Sequence, residues 1–246
     1  MSTAFAITKQ VAADAVGNYR RGNRARFEAP LLAKALRAPA AADPVAALSA
    51  VLAPVAADYK FARMFPRHDH TPEADRETDY AAASRLLLAG GHGLTSVAAV
   101  IAAVPFIAGE LRKTRRQDGK PYVTGMPLVG ASKWLWFCAP EVGVIFDSRA
   151  RGCMRRLGYR MPDDDYPLYC RVFQHLLREH IGELEDAGRE LADLVTDAGF
   201  RISRRAATRK ALDLVLYWNS PEGEVPDNAS LEDGDLFVET SAADVA

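Results

Sequence analysis

The chain is short of cysteine, of β-strand patterning and, past Lys210, of any basic residue. Cys138, Cys153 and Cys170 are an odd number with no CxxC pair, which argues against a disulfide framework and against the usual zinc spacings. Reduced thiols and a cytoplasmic setting are the expectation. Runs of alternating β-branched residues are almost absent, so Val142 to Phe146 is the one strand candidate and is too short to build a sheet. No repeat of solenoid period is visible. The opening MSTAFAITKQVAADAVGNYRR has no basic leader and no unbroken apolar run, so no signal peptide is expected. No cofactor is expected either.

Charge is absent in a different sense: the net value of −1 hides an uneven distribution. Residues 221–246 hold eight acids and no base, so with −8 there the first 220 residues carry +7. A basic body with an acidic tail points to a polyanionic partner more readily than the total suggests.

What is present is the composition of an ordinary globular protein, 246 residues with 49% hydrophobic and 26% charged. Alanine and helical periodicity dominate, and the fold class read from them is all-α, a multi-helix globular domain. Helices are expected at about 5–20, 26–37, 44–63, 73–89, 94–103, 105–116, 131–138, 148–157, 165–197 and 203–219, with ends uncertain by roughly 2–4 residues. Proline and glycine clusters at 39–44, 66–72, 118–127 and 220–226 divide the chain. They suggest an N-terminal helical segment over 1–65 packed on a main domain over 66–220, followed by a disordered acidic tail over 221–246. Leu86 to Gly109 carries no formal charge and is long enough to span a bilayer. Its Gly90, Gly91, Gly93 and Pro105 favour a helix end, a turn and a buried alanine-rich helix, so no membrane partner is expected.

The stretch PLVGASKWLWFCAPEVGVIFDSRARGCMRRLGY carries the chemistry. A turn over Leu128 to Gly130 would lead into a short helix with Lys133 in its first turn. Helix N-termini are partially positive and disfavour an ammonium, and a nucleophilic lysine needs its neutral form. After Pro140 the chain would run extended through VGVIF to Asp147, well placed as an N-cap for an arginine-rich helix. Residues 139–146 reach at most about 27 Å when extended, enough to double back and set Asp147 beside Lys133.

This arrangement resembles the helix-hairpin-helix DNA glycosylases, including the 8-oxoguanine glycosylases, over about residues 125–151. In the lysine-using members a glycine-rich hairpin leads to the catalytic lysine, and a proline-containing loop delivers an aspartate at the next helix start. The resemblance implies Gly130 in the hairpin, Lys133 as nucleophile and Asp147 as catalytic carboxylate, with DNA as partner and base excision as the reaction. Gly125 lies five residues before Gly130, and Ser148 and Arg149 follow the aspartate. The alternative is a solvent-facing Lys133–Asp147 ion pair and a purely structural N-cap.

Three basic groups accompany the stretch: Arg112, Lys113, Arg115, Arg116 and Lys120; Arg149, Arg151, Arg155, Arg156 and Arg160; and Arg201, Arg204, Arg205, Arg209 and Lys210. Together they could track phosphates, with Arg115, Arg116, Arg149, Arg151 and Arg155 the foremost DNA contacts; singly, each could be the solvated side of a helix. The acidic tail could compete with DNA for such a face, or simply solubilise the chain. His68, Asp69 and His70, joined by His175 and His180, could chelate a metal, but no hydrolase pattern completes them, and a surface turn next to Pro66 and Pro72 is the reading expected, with no metal. Trp134 and Trp136 point to different sides of a helix, so at least one belongs to the core. Tyr166, Tyr169 and Phe173, and Leu212, Leu216 and Tyr217, follow core spacing. Asp213 and Tyr80 could line a pocket. The competing function classes are a lysine-dependent glycosylase or lyase, a non-catalytic helical nucleic-acid-binding or assembly protein, and a metal-dependent hydrolase.

Overall fold

The computed structural model describes residues 5–59, 80–115, 122–123 and 127–220. Among these residues the chain is all-α, with ten helices and no strand. They are α1 (Lys9–Arg21), α2 (Arg24–Arg37), α3 (Pro44–Asp58), α4 (Ala81–Gly90), α5 (Val97–Lys113), α6 (Pro127–Cys138), α7 (Ser148–Arg156), α8 (Tyr166–Glu179), α9 (Ile181–Asp197) and α10 (Arg204–Trp218). The acidic tail, the 66–72 breaker with His68, Asp69 and His70, and Arg116, Lys120 and Gly125 lie outside the described residues.

Side-chain caps set several helix starts. Thr8, Asp43, Ser96, Asp147, Asp165 and Ser203 each accept from a backbone N–H in the first turn, satisfying donors that the helix itself leaves unpaired. Proline enters at the first turn of α3, α6 and α8, where it costs no hydrogen bond.

Three expected boundaries move, each for a packing reason. Pro105 does not divide the chain: α5 runs through it from Val97 to Lys113. An interior proline costs about 3 kcal/mol, and α5 offsets this by burying Val100, Val104, Ile107 and Leu111 while lying against α4, α6 and α8. The single helix expected over 165–197 breaks at His180, with φ −111° and ψ 23°. Its halves bury against different neighbours, α8 on α5 and α9 on α1, α2 and α10, which one straight rod could not reach. The third shift is in α6, which begins at Pro127 and takes Gly130 inside. Gly130 is therefore a buried helical residue, not part of a turn before the helix.

Two helices form the centre. α6 is buried nearly all round and packs against α2, α3, α4 and α5; a helix apolar on every side belongs inside a domain. α10 buries every residue from Ala206 to Leu216 against α1, α7 and α9. Gly188 of α9 permits the close approach to α10, because a Cβ there would collide with the Thr208 side chain and Cα. Trp134 and Trp136 are both core residues, Trp134 donating its indole N–H to the Leu52 carbonyl at 3.2 Å and meeting Tyr80 edge-on at 5.9 Å. Tyr166, Tyr169, Phe173, Leu212 and Leu216 are buried as their spacing suggested.

Val142 to Phe146 forms no strand: Val142 and Gly143 donate in a turn to the Ala139 carbonyl, and the rest is irregular. Side chains satisfy much of its remaining backbone, as buried polar groups require. Arg209 donates to the carbonyls of Val142 and Gly143 at 3.0 and 3.3 Å, Tyr166 donates to that of Val144 at 2.8 Å, and Phe146 N–H donates to Ser132 Oγ at 2.9 Å. Gly143 lies so close to α6 that a Cβ would sit 3.0 Å from both the Ala139 oxygen and the Trp136 Cα. The chain thus doubles back along α6.

Candidate active site

Doubling back sets Asp147 beside Lys133. Ser132 precedes the lysine and Phe146 precedes the aspartate, so the Ser132–Phe146 hydrogen bond registers the two residues against each other. Lys133 Nζ donates to Asp147 Oδ2 at 2.7 Å, and the other oxygen, Oδ1, accepts from Arg149 N–H at 2.9 Å as the N-cap of α7. The pair is not solvent-facing: Lys133 is 5% and Asp147 9% exposed. Lys133 is the single charged residue of α6. It is also the seventh residue of that helix, beyond the first turn to which the terminal partial charge is confined. The expected influence of a helix start on this lysine is therefore replaced by that of its immediate neighbours.

Those neighbours are polar and buried. The Lys133 Nζ lies 5.3 Å from the centroid of the Tyr59 ring, and Lys210 Nζ approaches the same ring at 5.9 Å and the Trp136 ring at 5.5 Å. Lys210 donates to Asp213 Oδ2 at 2.9 Å, both residues being buried in α10. Glu28 of α2, 2% exposed, accepts from Tyr59 Oη at 2.6 Å, Tyr19 Oη at 3.0 Å and Arg24 at 3.2 Å. Arg24 also binds Asp58.

Electrostatics follow from how Glu28, Asp147 and Asp213 are set among Lys133, Lys210 and Arg24, the last bound to Glu28. Burial pushes the Asp147 carboxyl up, yet Lys133 and the Arg149 N–H hold it below the ordinary carboxylate range. Asp213 goes the other way: burial raises it, Lys210 only partly opposes this, and Asp147 and Glu28 raise it further. Burial lowers Lys210, but Asp213 and Glu28 more than compensate and leave it above the ordinary lysine value. An excess of negative charge stabilises protons on acid and base alike, so both members of that pair move up. The Tyr169 phenol, buried and making no hydrogen bond among the described residues, is raised by burial, then by Asp213 and by Asp147. It thus feels both aspartates.

The arginines expected to hold DNA divide. Arg149 is exposed with its guanidinium 5.0 Å from the Tyr217 ring centroid, and Arg115 is exposed at the end of α5. Arg151 is buried, 4.7 Å over Phe146 and bound to Asp163. Arg155 is half-buried and holds Asp163 at 2.8 Å and the Met161 carbonyl. Of the third basic group, Arg201, Arg204 and Arg205 are exposed, whereas Arg209 and Lys210 are core residues and belong to no surface face. Burial, then Arg205, lowers Arg209 to about 10.

His175 and His180 sit beside Glu179 and Glu183 at 3.2 and 4.0 Å on the surface. Among the described residues no group of three or more His, Cys, Asp or Glu side chains could hold a metal ion, and no helix is long and apolar enough to cross a membrane. A separate cleft of about 640 Å³, lined by Leu36, His92, Cys138, Pro140, Phe200 and Ile202 among others, contains none of the four residues of the lysine–aspartate pairs. Glu28, Tyr19, Tyr59 and Ser132 escaped sequence reasoning, and Lys210 was placed on a basic surface face. Lys210 and Asp213 carried a signal, a charged i, i+3 pair inside the apolar ALDLVL run; Glu28 in RARFEAPLL carried none.

Comparison with known protein families, with characterised proteins and with solved structures finds no match to the chain.

Proposed function

We propose that the protein is a lysine-dependent DNA glycosylase with associated lyase chemistry, Lys133 acting as nucleophile and Asp147 as its carboxylate partner. The observation that carries this reading is the 2.7 Å contact between Lys133 Nζ and Asp147 Oδ2, formed by a lone charge in an apolar helix and the N-cap of the next. In the reaction the Lys133 ammonium gives a proton to Asp147 Oδ2. The freed lone pair forms the Nζ–C1′ bond as the bond from C1′ to the damaged or modified base breaks, its electron pair leaving with the base. Early in the step, before the proton reaches it, the carboxylate stabilises positive charge developing on the sugar. Exposed Arg115 and Arg149 supply phosphate contacts.

Borohydride trapping tests the reading. The wild-type chain is expected to form a covalent adduct with an abasic or modified-base duplex, and Lys133→Ala is expected to form none. If no such duplex is trapped by the wild type, the enzymatic reading is lost.

One observation favours the second reading, a non-catalytic helical nucleic-acid-binding or assembly protein. Lys133 and Asp147 are 5% and 9% exposed, and a buried pair can serve to specify packing alone. On that reading Lys133→Ala changes stability and leaves DNA affinity as it was.

A further inference from the structure

We propose that Lys210 and Asp213 are positioning residues of the same site as Lys133 and Asp147, a second lysine–aspartate pair whose charges set the proton balance of the first. The catalytic consequence rests on Lys133 being the nucleophile; the coupling between the pairs does not.

Geometry carries the argument. The two lysines come from different central helices yet bring their Nζ atoms to one ring, that of Tyr59, at 5.3 and 5.9 Å. The hydroxyl of that tyrosine, itself half-buried, donates to Glu28 at 2.6 Å, so ring and carboxylate link both ammonium groups in one network. On the opposite flank the buried Tyr169 hydroxyl lacks a hydrogen-bond partner among the described residues and feels Asp213 and Asp147 together. A fold needing only packing here would be served as well by apolar side chains of similar size, since a buried ion pair seldom stabilises more than they do. Two such pairs sharing an aromatic ring form instead a system in which each charge alters its neighbours' affinity for protons.

The titratable groups around the two pairs can be named element by element. Asp147 at the start of α7 and Tyr59 at the end of α3 meet Lys133 directly; Tyr59 leads to Glu28 of α2, which Arg24 of α2 and Tyr19 of α1 also bind; Lys210 holds Asp213 within α10, and Tyr169 of α8 feels both aspartates. Lys133, Lys210 and Arg24 together balance Asp147, Asp213 and Glu28. Without Lys210 the carboxylates outnumber the cations and the Lys133 proton is held more firmly, which opposes its transfer to Asp147. Neutralising Asp213 acts in the reverse direction.

Two measurements test this on the full chain. The first needs no substrate: the Asp213 carboxyl is followed by carbon NMR titration in the wild type, Asp147→Asn and Lys133→Met. Its midpoint is expected to fall by about one pH unit in Asp147→Asn and to rise in Lys133→Met, the size expected for a single nearby charge. A midpoint unmoved in both variants overturns the coupling, whatever the chain does with DNA. The second is the pH profile of borohydride trapping on an abasic duplex, expected to shift towards alkaline pH in Lys210→Met and towards acid in Asp213→Asn, with Lys210→Arg close to the wild type. A purely structural role would lower the yield of both variants without moving their profiles in opposite directions, and that result overturns the positioning role. If the wild type traps nothing, the glycosylase reading fails while the titration still decides the coupling. Asp213→Asn is nearly isosteric and keeps the experiment interpretable if Lys210→Met fails to fold, which circular dichroism reports.

Discussion

Lys133 reaches across to Asp147 on the next helix, whereas Lys210 meets Asp213 three residues along its own. Both pairs are buried and built from the same residue types, yet their carboxyl groups titrate in opposite directions, Asp147 below and Asp213 above the ordinary value. The difference lies in the second partner. Asp147 has the Arg149 N–H as well as its lysine, while Asp213 faces the negative charges of Asp147 and Glu28. Burial alone therefore does not decide whether an acid stays ionised; the donors left over after the first contact do.

The largest effect separates the pairs by removing a lysine. Lys133→Met is expected to cost about 3–5 kcal/mol in urea unfolding at neutral pH, because Asp147 stays ionised in an apolar setting. Lys210→Met is expected to cost less, about 1–3 kcal/mol, since Asp213 can take up a proton and relieve its own burial. Equal costs would break the comparison.

Next comes pH. Because the folded Asp147 lies below its ordinary value, its contribution is complete above that value and lost as pH falls through the folded one. Asp213 is raised, so its contribution is complete below the ordinary carboxyl value and lost as pH rises through the folded one. Unfolding measured from acidic to neutral pH should show Asp147→Asn falling progressively behind the wild type and Asp213→Asn gaining on it. Parallel curves for the two variants would contradict the opposed shifts.

Gly143→Ala probes the route that brings Asp147 to Lys133. Overpacking against Ala139 and Trp136 is expected to cost about 1–3 kcal/mol and to shift the Asp147 carboxyl resonance while leaving that of Asp213 in place. Both resonances moving together would show that the loop is not specific to the first pair.

The smallest effect belongs to the surface. Arg149→Ala leaves both pairs intact, and if the exposed guanidinium contacts a phosphate, the salt slope of DNA binding should fall by about one. An unchanged slope removes Arg149 from the DNA contacts.

By itself the sequence determined the helical class, most helix positions, the burial of the Trp134 and Trp136 helix and the identity of Asp147 as an N-cap. These are local properties, set by periodicity, capping side chains and the rarity of strand patterning. The juxtaposition of Lys133 and Asp147 was legible because a short loop limits how far apart they can lie. Tertiary structure alone decided that Pro105 is carried through a helix, that the 165–197 segment breaks at His180, and that Arg151, Arg209 and Lys210 turn inward. It also decided that the Lys133–Asp147 pair is buried and shares a tyrosine with a second such pair. Glu28, Tyr59, Lys133 and Lys210 come from four separated stretches of chain, and no local pattern records which distant charges will gather around one ring.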